Sequence, residues 1–198
     1  MKIEVAEGKI SIEREATDLD KFVLDFIKIL DDKGIKYVII SGYVSILLGR
    51  SRSSEDVDII IEAINKDQFS RLHESLTEFH CLNTNDILEA YEQYLSKDIA
   101  VRYARKNQAI PNMEVKLAKI KLDNWALDNR TKVEFNGKTL YVSPIELQIS
   151  YKLLLGTEKD IEDARHLFKL LEKHLDMQVL DDFNRQFKVV ELFREYIQ

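Results

Sequence analysis

Hydrophobic residues recur at two different spacings in this chain, and each spacing predicts a different kind of element. Leu19, Phe22, Phe26 and Leu30 return every three or four residues, which is typical of the apolar face of a helix. The run Tyr37–Ile40 is short, rich in β-branched residues and followed by a turn, which favours a buried strand. The first third of the chain therefore predicts a helix that leads into a strand.

The middle of the chain continues the strand pattern. Residues 99–104 and 110–118 alternate between apolar and polar side chains, and residues 133–142 predict a hairpin that turns at an Asn-Gly pair. Weak alternation over residues 2–14 predicts an edge strand or an extended arm. Several strands with intervening helices predict a mixed sheet flanked by helices, which places the chain in the α+β class.

From residue 143 onward the period is helical. Pro144 is predicted at the first helical position behind a capping box, and Gly156 is predicted to end that helix. A second helix follows, and a last amphipathic helix is predicted to carry Phe183, Phe187 and Phe193 on one face. We therefore divide the chain into a core of residues 1–142 and a helical C-terminal segment of residues 143–198.

Composition narrows the class of protein. The net charge is −6, so a broad surface for duplex DNA is not expected. Cys81 is the single cysteine, which excludes a disulfide within the chain and favours a reducing compartment. We see no signal peptide and no apolar run of membrane-spanning length, and we expect a cytoplasmic protein with no membrane partner.

The most informative stretch covers residues 37–61. It predicts a strand, a turn at Ser41 and Gly42, a short helix, a polar loop and a second strand that begins with Asp56 and Asp58. Alternation places the two aspartates on one face of this second strand. Paired carboxylates repel each other unless a cation lies between them, so the stretch favours a site for Mg²⁺ or Mn²⁺.

This order of elements resembles the DNA polymerase β-type nucleotidyltransferase superfamily, whose signature is a hydrophobic strand, a glycine turn and Asp-x-Asp. The loop over residues 49–58 is most similar to that of small prokaryotic members, among them the AbiEii-type toxins. One departure is Ser41, which stands where the superfamily usually has the first glycine of the turn. The resemblance spans about residues 20–172 and is specific in residues 37–61.

The resemblance implies a nucleotidyltransferase-like mixed β-sheet and an enzyme that transfers an NMP from an NTP to a hydroxyl acceptor. Asp56 and Asp58 would be catalytic metal ligands. The superfamily usually adds a third carboxylate from a neighbouring strand, and Glu114 is our candidate because it points away from the apolar side of residues 110–118. Glu62 is the rival candidate by its closeness in sequence. The alternative for Glu114 is a surface residue paired with Lys116 or Arg102.

Several residues near this strand pair are candidates for binding the nucleotide. Ser41 and Gly42 are predicted to hold the triphosphate through backbone N–H groups. Arg50 and Arg52 either bind phosphate bidentately or simply solvate the loop. Ser54 either orients the first aspartate of the pair or caps the loop locally.

The C-terminal helices supply two further candidates through the resemblance. Lys152 would face the nucleotide phosphates, and Asp163 would help to fix the helix that follows. The alternative is purely structural: Asp160 caps that helix, and Asp163 pairs with Lys159 or Arg165.

The sequence and the resemblance together suggest three candidate functions. The first is nucleotidyl transfer to an RNA end or a protein side chain, in the manner of a toxin. The second is a non-catalytic nucleotide-binding regulatory module on the same fold. The third is a partner in a toxin–antitoxin pair that binds a cognate antitoxin through the C-terminal aromatic face, which requires Phe183, Phe187 and Phe193 to be exposed. Base preference and oligomeric state are not encoded in spacing.

Overall fold

The computed structural model describes residues 1–6 and 8–197, in which strands interspersed with helices are followed by a helical segment from residue 145 onward. The strands are β1 (Lys2–Ala6), β2 (Lys9–Glu13), β3 (Tyr37–Ile40), β4 (Asp56–Ile61), β5 (Phe79–Cys81), β6 (Val101–Arg105), β7 (Asn112–Leu117), β8 (Thr131–Phe135) and β9 (Lys138–Val142). Within the described part they form one mixed sheet in the order β1-β2-β8-β9-β3-β4-β7-β6-β5. The predicted α+β class with a mixed sheet is confirmed.

Helices connect and cover these strands. They are α1 (Asp18–Asp32), α2 (Gly42–Leu47), α3 (Lys66–Ser75), α4 (Ile87–Glu89), α5 (Lys121–Asp128), α6 (Ile145–Leu155), α7 (Glu158–Leu171), α8 (Met177–Gln186) and α9 (Val190–Tyr196). The segment after α4 continues as a π turn and then a 3₁₀ turn. Among the described residues, no helix is both long and apolar enough to cross a membrane.

The N-terminal residues form part of the sheet. Strands β1 and β2 pair antiparallel, and β2 then runs parallel to β8, with Ile10 beside Val133. The β8–β9 hairpin turns at Asn136 and Gly137, both with positive φ, as the Asn-Gly pair predicts. The edge-strand prediction for residues 2–14 therefore holds for β1, while β2 is a second strand that lies inside the sheet.

The two faces of the sheet have different cores. Helices α1 and α3 contribute to the larger core, which also holds the apolar side chains of β4 such as Val57 and Ile59. The other face carries a smaller core in which Val38 and Ile60 meet Leu147 of α6 and Phe183 of α8. Because side chains alternate along β4, Asp56 and Asp58 share their face with Ile60 and lie beside this smaller core.

Two details of the C-terminal prediction are wrong. Helix α6 begins at Ile145, and Pro144 precedes it without a side-chain cap. The Ser143 hydroxyl donates to the Pro144 carbonyl instead of capping the helix. The Ser143 N–H donates to the Ile39 carbonyl and extends the sheet. The last helix is two helices, because Lys188 has φ 60° and Val189 N–H donates to the Asn184 carbonyl, which ends α8. Hydrophobic spacing gave no signal of this break because α8 and α9 both pack on the core.

Candidate functional site

The centre of the candidate site is a pair of carboxylates on adjacent strands. Strands β4 and β7 run parallel with Asp58 directly paired to Glu114 and Asp56 paired to Asn112. Since paired positions point to the same face, the three acidic side chains lie on one side of the sheet. This is the placement that the alternation of β7 predicts for Glu114.

Crowding of negative charge affects Asp58 most. Burial of the side chain raises the pKa of Asp58, and the charges of Glu114 and Asp56 raise it further. Lys116 and the hydroxyl of Ser41 oppose this and do not cancel it. The ionised form of Asp58 is therefore held in an environment that lacks sufficient positive charge.

Asp56 is exposed at the start of β4 and is oriented by its own loop. The Ser54 hydroxyl donates to Asp56 Oδ1 at 3.1 Å. Of the two predicted roles of Ser54, contact with the first aspartate is the one seen.

Glu114 is held by a different partner. Its carboxylate forms an ion pair with Arg102 on β6, with Nη2 and Oε1 2.6 Å apart. The rival Glu62 follows the far end of β4, where Oε1 accepts from the Lys36 N–H at 2.8 Å. Glu114 is thus the candidate that shares a register row with Asp58.

The carboxylates of this site fit a divalent cation only together with ligands from outside the protein. Over residues 1–6 and 8–197, no three acidic, histidine or cysteine side chains are grouped closely enough to hold a metal ion. Asp56 and Asp58 nevertheless supply hard oxygen donors, and Mg²⁺ usually binds one or two carboxylates together with substrate phosphates and water. The residues fit a two-carboxylate site of that kind, and they do not form a preformed cage.

The turn between β3 and α2 has an unusual backbone. Ser41 has φ 63° and ψ −135°, a region that residues other than glycine occupy only at a cost of about 1–3 kcal/mol. Glycine occupies this region freely, whereas serine does not. The backbone N–H of Ser41 donates to Gln148 Oε1 at 3.3 Å. This N–H was predicted to bind phosphate, but it is already engaged by Gln148.

Gly42 leaves room for an arginine. A Cβ built on Gly42 would lie 2.1 Å from Nη2 of Arg52, so the guanidinium rests on the glycine itself. Arg52 Nε is buried and has no hydrogen-bond partner among the described residues. The position of Arg52 therefore combines close contact with the turn and an unused donor.

A buried ion cluster lies behind this arginine and centres on Asp163, which is fully buried. Its carboxylate is 3.0 Å from Arg50 Nε, 3.1 Å from Arg52 Nη2 and 3.1 Å from Lys152 Nζ. Arg50 also pairs with Glu162. The alternative pairing of Asp163 with neighbours on its own helix is wrong, because long side chains from the loop and from α6 reach it instead.

Lys152 is almost as buried as Asp163, with 2% of its surface exposed. Its Nζ lies 2.6 Å from Asp160 Oδ1. Burial acts to raise the pKa of Asp160, but hydrogen bonds from Lys152 and Thr157 outweigh it and leave that pKa lowered. The prediction that Asp160 caps α7 is wrong, because the N-cap is Thr157, whose side chain accepts from the Asp160 N–H.

A small cavity of about 120 Å³ adjoins the carboxylates on the same face. Its floor includes Ile40, which pairs with Asp58, and Ile60, two residues beyond Asp58. Tyr151 and Gln148 of α6 line the opposite side. The cavity is mainly apolar, and Asp58 lies immediately beside its floor.

Of the two partners that the sequence suggested for Glu114, Lys116 and Arg102, the structure shows Arg102. Sequence reasoning missed Gln148. The one signal for Gln148 was a long polar side chain at a position of α6 that is otherwise apolar.

No protein-family model matches this chain, and no curated protein matches it. Solved structures do resemble it. An antigenic nucleotidyltransferase-like protein from Paracoccidioides brasiliensis aligns with a TM-score of 0.55 at 17% identity, over 91% of this chain and 92% of that one. The antibiotic-resistance factor ANT(2'')-Ia aligns with a TM-score of 0.56 at 12% identity, over 90% of this chain and 99% of that one.

These likenesses show the class of fold. The chain has a nucleotidyltransferase-like fold, with the mixed sheet flanked by helices and a helical C-terminal segment that the resemblance implied. At 17% and 12% identity, these structures do not indicate the substrate or the subfamily of this chain.

Proposed function

We propose that the protein is a metal-dependent nucleotidyltransferase that transfers an NMP from an NTP to a hydroxyl acceptor. The observation that carries the proposal is the row formed by Asp58 and Glu114 beside the Ser41–Gly42 turn. Carboxylates crowded in this way are stabilised by a cation, and the Arg52 guanidinium that rests on the turn can bind phosphate. The AbiEii-like resemblance supports an RNA end or a protein side chain as acceptor.

Asp56 and Asp58 would hold Mg²⁺ or Mn²⁺, with Glu114 as a third ligand if it leaves Arg102. The bound metal would supply positive charge for the phosphates and lower the pKa of the attacking hydroxyl. The protein contributes position. Ser54 holds Asp56, and the Ser41 hydroxyl interacts with Asp58.

The phosphates would be bound by the cations that surround Asp163. Arg52 lies on Gly42, and its buried Nε has no partner among the described residues, so the side chain has a donor left for a phosphate bound at the turn. Lys152 lies in the same cluster through its contact with Asp163. Arginine suits this task because its planar fork can bind two oxygens while one nitrogen stays on a carboxylate.

The apolar cavity beside the carboxylates suits a flat group of the substrate, such as the base of the nucleotide. Tyr151, which is 37% exposed at its wall, supplies an aromatic surface. Tyr151→Ala is expected to weaken binding of the triphosphate more than binding of inorganic pyrophosphate.

The central experiment measures pyrophosphate release and acceptor labelling with Mg²⁺ and each labelled ribonucleoside triphosphate, with total tRNA and the protein itself as acceptors. The Asp56→Asn, Asp58→Asn double variant should be inactive. A matched control is Asp181→Asn, Asp182→Asn, which removes the same charge from exposed side chains on α8. Equal activity in the first double variant and the wild type would overturn the proposal.

The ion pair of Glu114 with Arg102 favours a second candidate, a non-catalytic nucleotide-binding regulatory module. In that case the third carboxylate would stay on Arg102 and would not complete a metal site. Calorimetry with MgNTP would then show binding while the pyrophosphate assay shows no turnover. Turnover would exclude this candidate.

The AbiEii-like resemblance also implies a cognate antitoxin. The C-terminal aromatic face does not provide a surface for it, because Phe183 and Phe193 are 8% and 4% exposed. Phe183 instead packs edge-on against Trp125, with ring centroids 4.8 Å apart. We therefore do not assign this face to a partner.

A further inference from the structure

Gln148 of α6 holds the backbone of Ser41 from both sides. Its Nε2 donates to the Ser41 carbonyl at 2.7 Å, and its Oε1 accepts from the Ser41 N–H at 3.3 Å. The orientation of the amide is fixed by its partners, since a carbonyl only accepts and an N–H only donates. Gln148 is 2% exposed, so both contacts are shielded from water.

This contact acts on the one residue of the turn whose backbone is strained. Ser41 has φ 63° and ψ −135°, which glycine adopts freely and serine does not. Such a conformation persists only where the surrounding structure imposes it. The last pair of β3 with β4 is Ile40 with Asp58, so Gln148 takes over the backbone pairing where that ladder stops.

The same helix reaches the site at a second point. Lys152 follows Gln148 by one helical turn and is equally buried, so both side chains lie on one face of α6. Lys152 contacts Asp163, which holds the arginine that rests on Gly42. Helix α6 therefore contacts Ser41 directly and Gly42 through two ion pairs.

We propose that Gln148 is a positioning residue that imposes the glycine-like conformation of Ser41 and so sets the shape of the turn for the nucleotide. This inference rests on the proposed function for its nucleotide part. Its conformational part can be measured without any ligand.

The test is a double-mutant cycle between Gln148→Met and Ser41→Gly, with Ser41→Ala as the matched control. Methionine keeps the length of Gln148 and removes both hydrogen bonds. Glycine and alanine both remove the hydroxyl of Ser41, but only glycine relieves the strain. The cost of glycine to the unfolded chain is the same in both backgrounds and cancels in the cycle.

In thermal unfolding, Ser41→Gly should raise Tm by about 2–4 °C relative to Ser41→Ala in the wild-type background. In the Gln148→Met background this gain should disappear and Ser41→Gly should become slightly less stable than Ser41→Ala, because the turn is then free to relax and only the cost of glycine to the unfolded chain remains. An equal difference in both backgrounds would overturn the proposal, since the rest of the fold would then impose the conformation. No difference in the wild-type background would also overturn it.

In calorimetry with each ribonucleoside triphosphate and Mg²⁺, Gln148→Met should weaken binding about 10-fold. Adding Ser41→Gly should restore most of this loss, and adding Ser41→Ala should not. Wild-type affinity in Gln148→Met would overturn the proposal. If the wild type binds no triphosphate, the proposed function fails and the unfolding cycle alone decides the role of Gln148.

Gln148→Asn is the second variant, for the case in which Gln148→Met does not fold. Its amide is one methylene shorter and cannot hold both backbone groups of Ser41 at the observed distances. It should reproduce the Gln148→Met result in a milder form. A result for Gln148→Asn equal to the wild type in both measurements would overturn the proposal.

Discussion

Asp58 and Glu114 are directly paired across two parallel strands, yet their carboxylates face different partners. Asp58 is crowded by acidic neighbours, whereas Glu114 is neutralised by Arg102. The protein therefore holds one uncompensated carboxylate at the centre of the row and one that is already paired. The proposed dependence of this site on a cation rests on that difference.

Neutralising Asp58 should stabilise the protein in the absence of metal. Its pKa is raised in the folded state, so its ionised form destabilises the fold at neutral pH, and stability contributed by its protonation is gained as pH falls through the folded pKa. Asp58→Asn should raise Tm at pH 7 by about 2–4 °C. Differential scanning calorimetry in EDTA measures this shift, with Asp181→Asn as the control.

Added Mg²⁺ should stabilise the wild type and leave Asp58→Asn unchanged, since a ligand that binds only the folded state raises Tm. A metal-induced shift that persists in Asp58→Asn would place the cation elsewhere.

Releasing Glu114 should strengthen the metal site. Arg102→Gln removes the charge that holds Glu114, and we expect the affinity for Mn²⁺ to rise several-fold in titration calorimetry. Because 54% of the Arg102 side chain is exposed, loss of the ion pair should change stability by no more than about 1 kcal/mol. Arg185→Gln, on an exposed face of α8, is the control. Unchanged metal affinity in both Arg102→Gln and Glu114→Gln would remove Glu114 from the site.

A methyl group on Gly42 should act through Arg52. Gly42→Ala places Cβ against Nη2 of Arg52 and must displace that arginine from Asp163, so we expect destabilisation of about 1–3 kcal/mol. In an Arg52→Ala background the same change should cost much less. Arg50→Ala is the control, because Arg50 also pairs with Asp163 without being the group that a Cβ on Gly42 meets. Denaturant unfolding measures the cost of Gly42→Ala in the wild-type, Arg52→Ala and Arg50→Ala backgrounds, and an equal cost in all three would contradict the coupling.

Acid should unfold the protein in part through Asp20, which is fully buried in the first turn of α1 and accepts a hydrogen bond from Tyr43 of α2. Burial acts to raise the pKa of Asp20, but bonds from Arg14, Thr17 and Tyr43 outweigh it and leave the pKa lowered. A lowered folded pKa contributes stability above the unfolded value, near pH 4, that is lost as pH falls through the folded pKa.

Asp20→Asn should therefore cost roughly 3 kcal/mol at pH 7 and show a weaker loss of stability below about pH 4. Urea unfolding between pH 3 and 7 measures both effects. If the free energy of unfolding fell equally with pH in the variant and the wild type, Asp20 would not control the loss of stability in acid.

Periodicity predicted much of the scaffold because each element buries one face. The strand Tyr37–Ile40, the hairpin of β8 and β9 and the alternation that points Glu114 towards Asp58 all follow from which side chains must leave water. The break between α8 and α9 was missed for the same reason, since both helices bury the same kind of face.

The sequence by itself determined the chemistry available to this protein: two aspartates on one strand face, a glycine turn before them and a nucleotidyltransferase-like order of elements. Only the tertiary structure decided that Arg50 and Arg52 meet Asp163 and that Gln148 meets Ser41, because these partners lie far apart along the chain. The spacing of residues along the sequence predicts contacts within one helix or strand. Contacts between elements depend on register and packing, which no local pattern specifies.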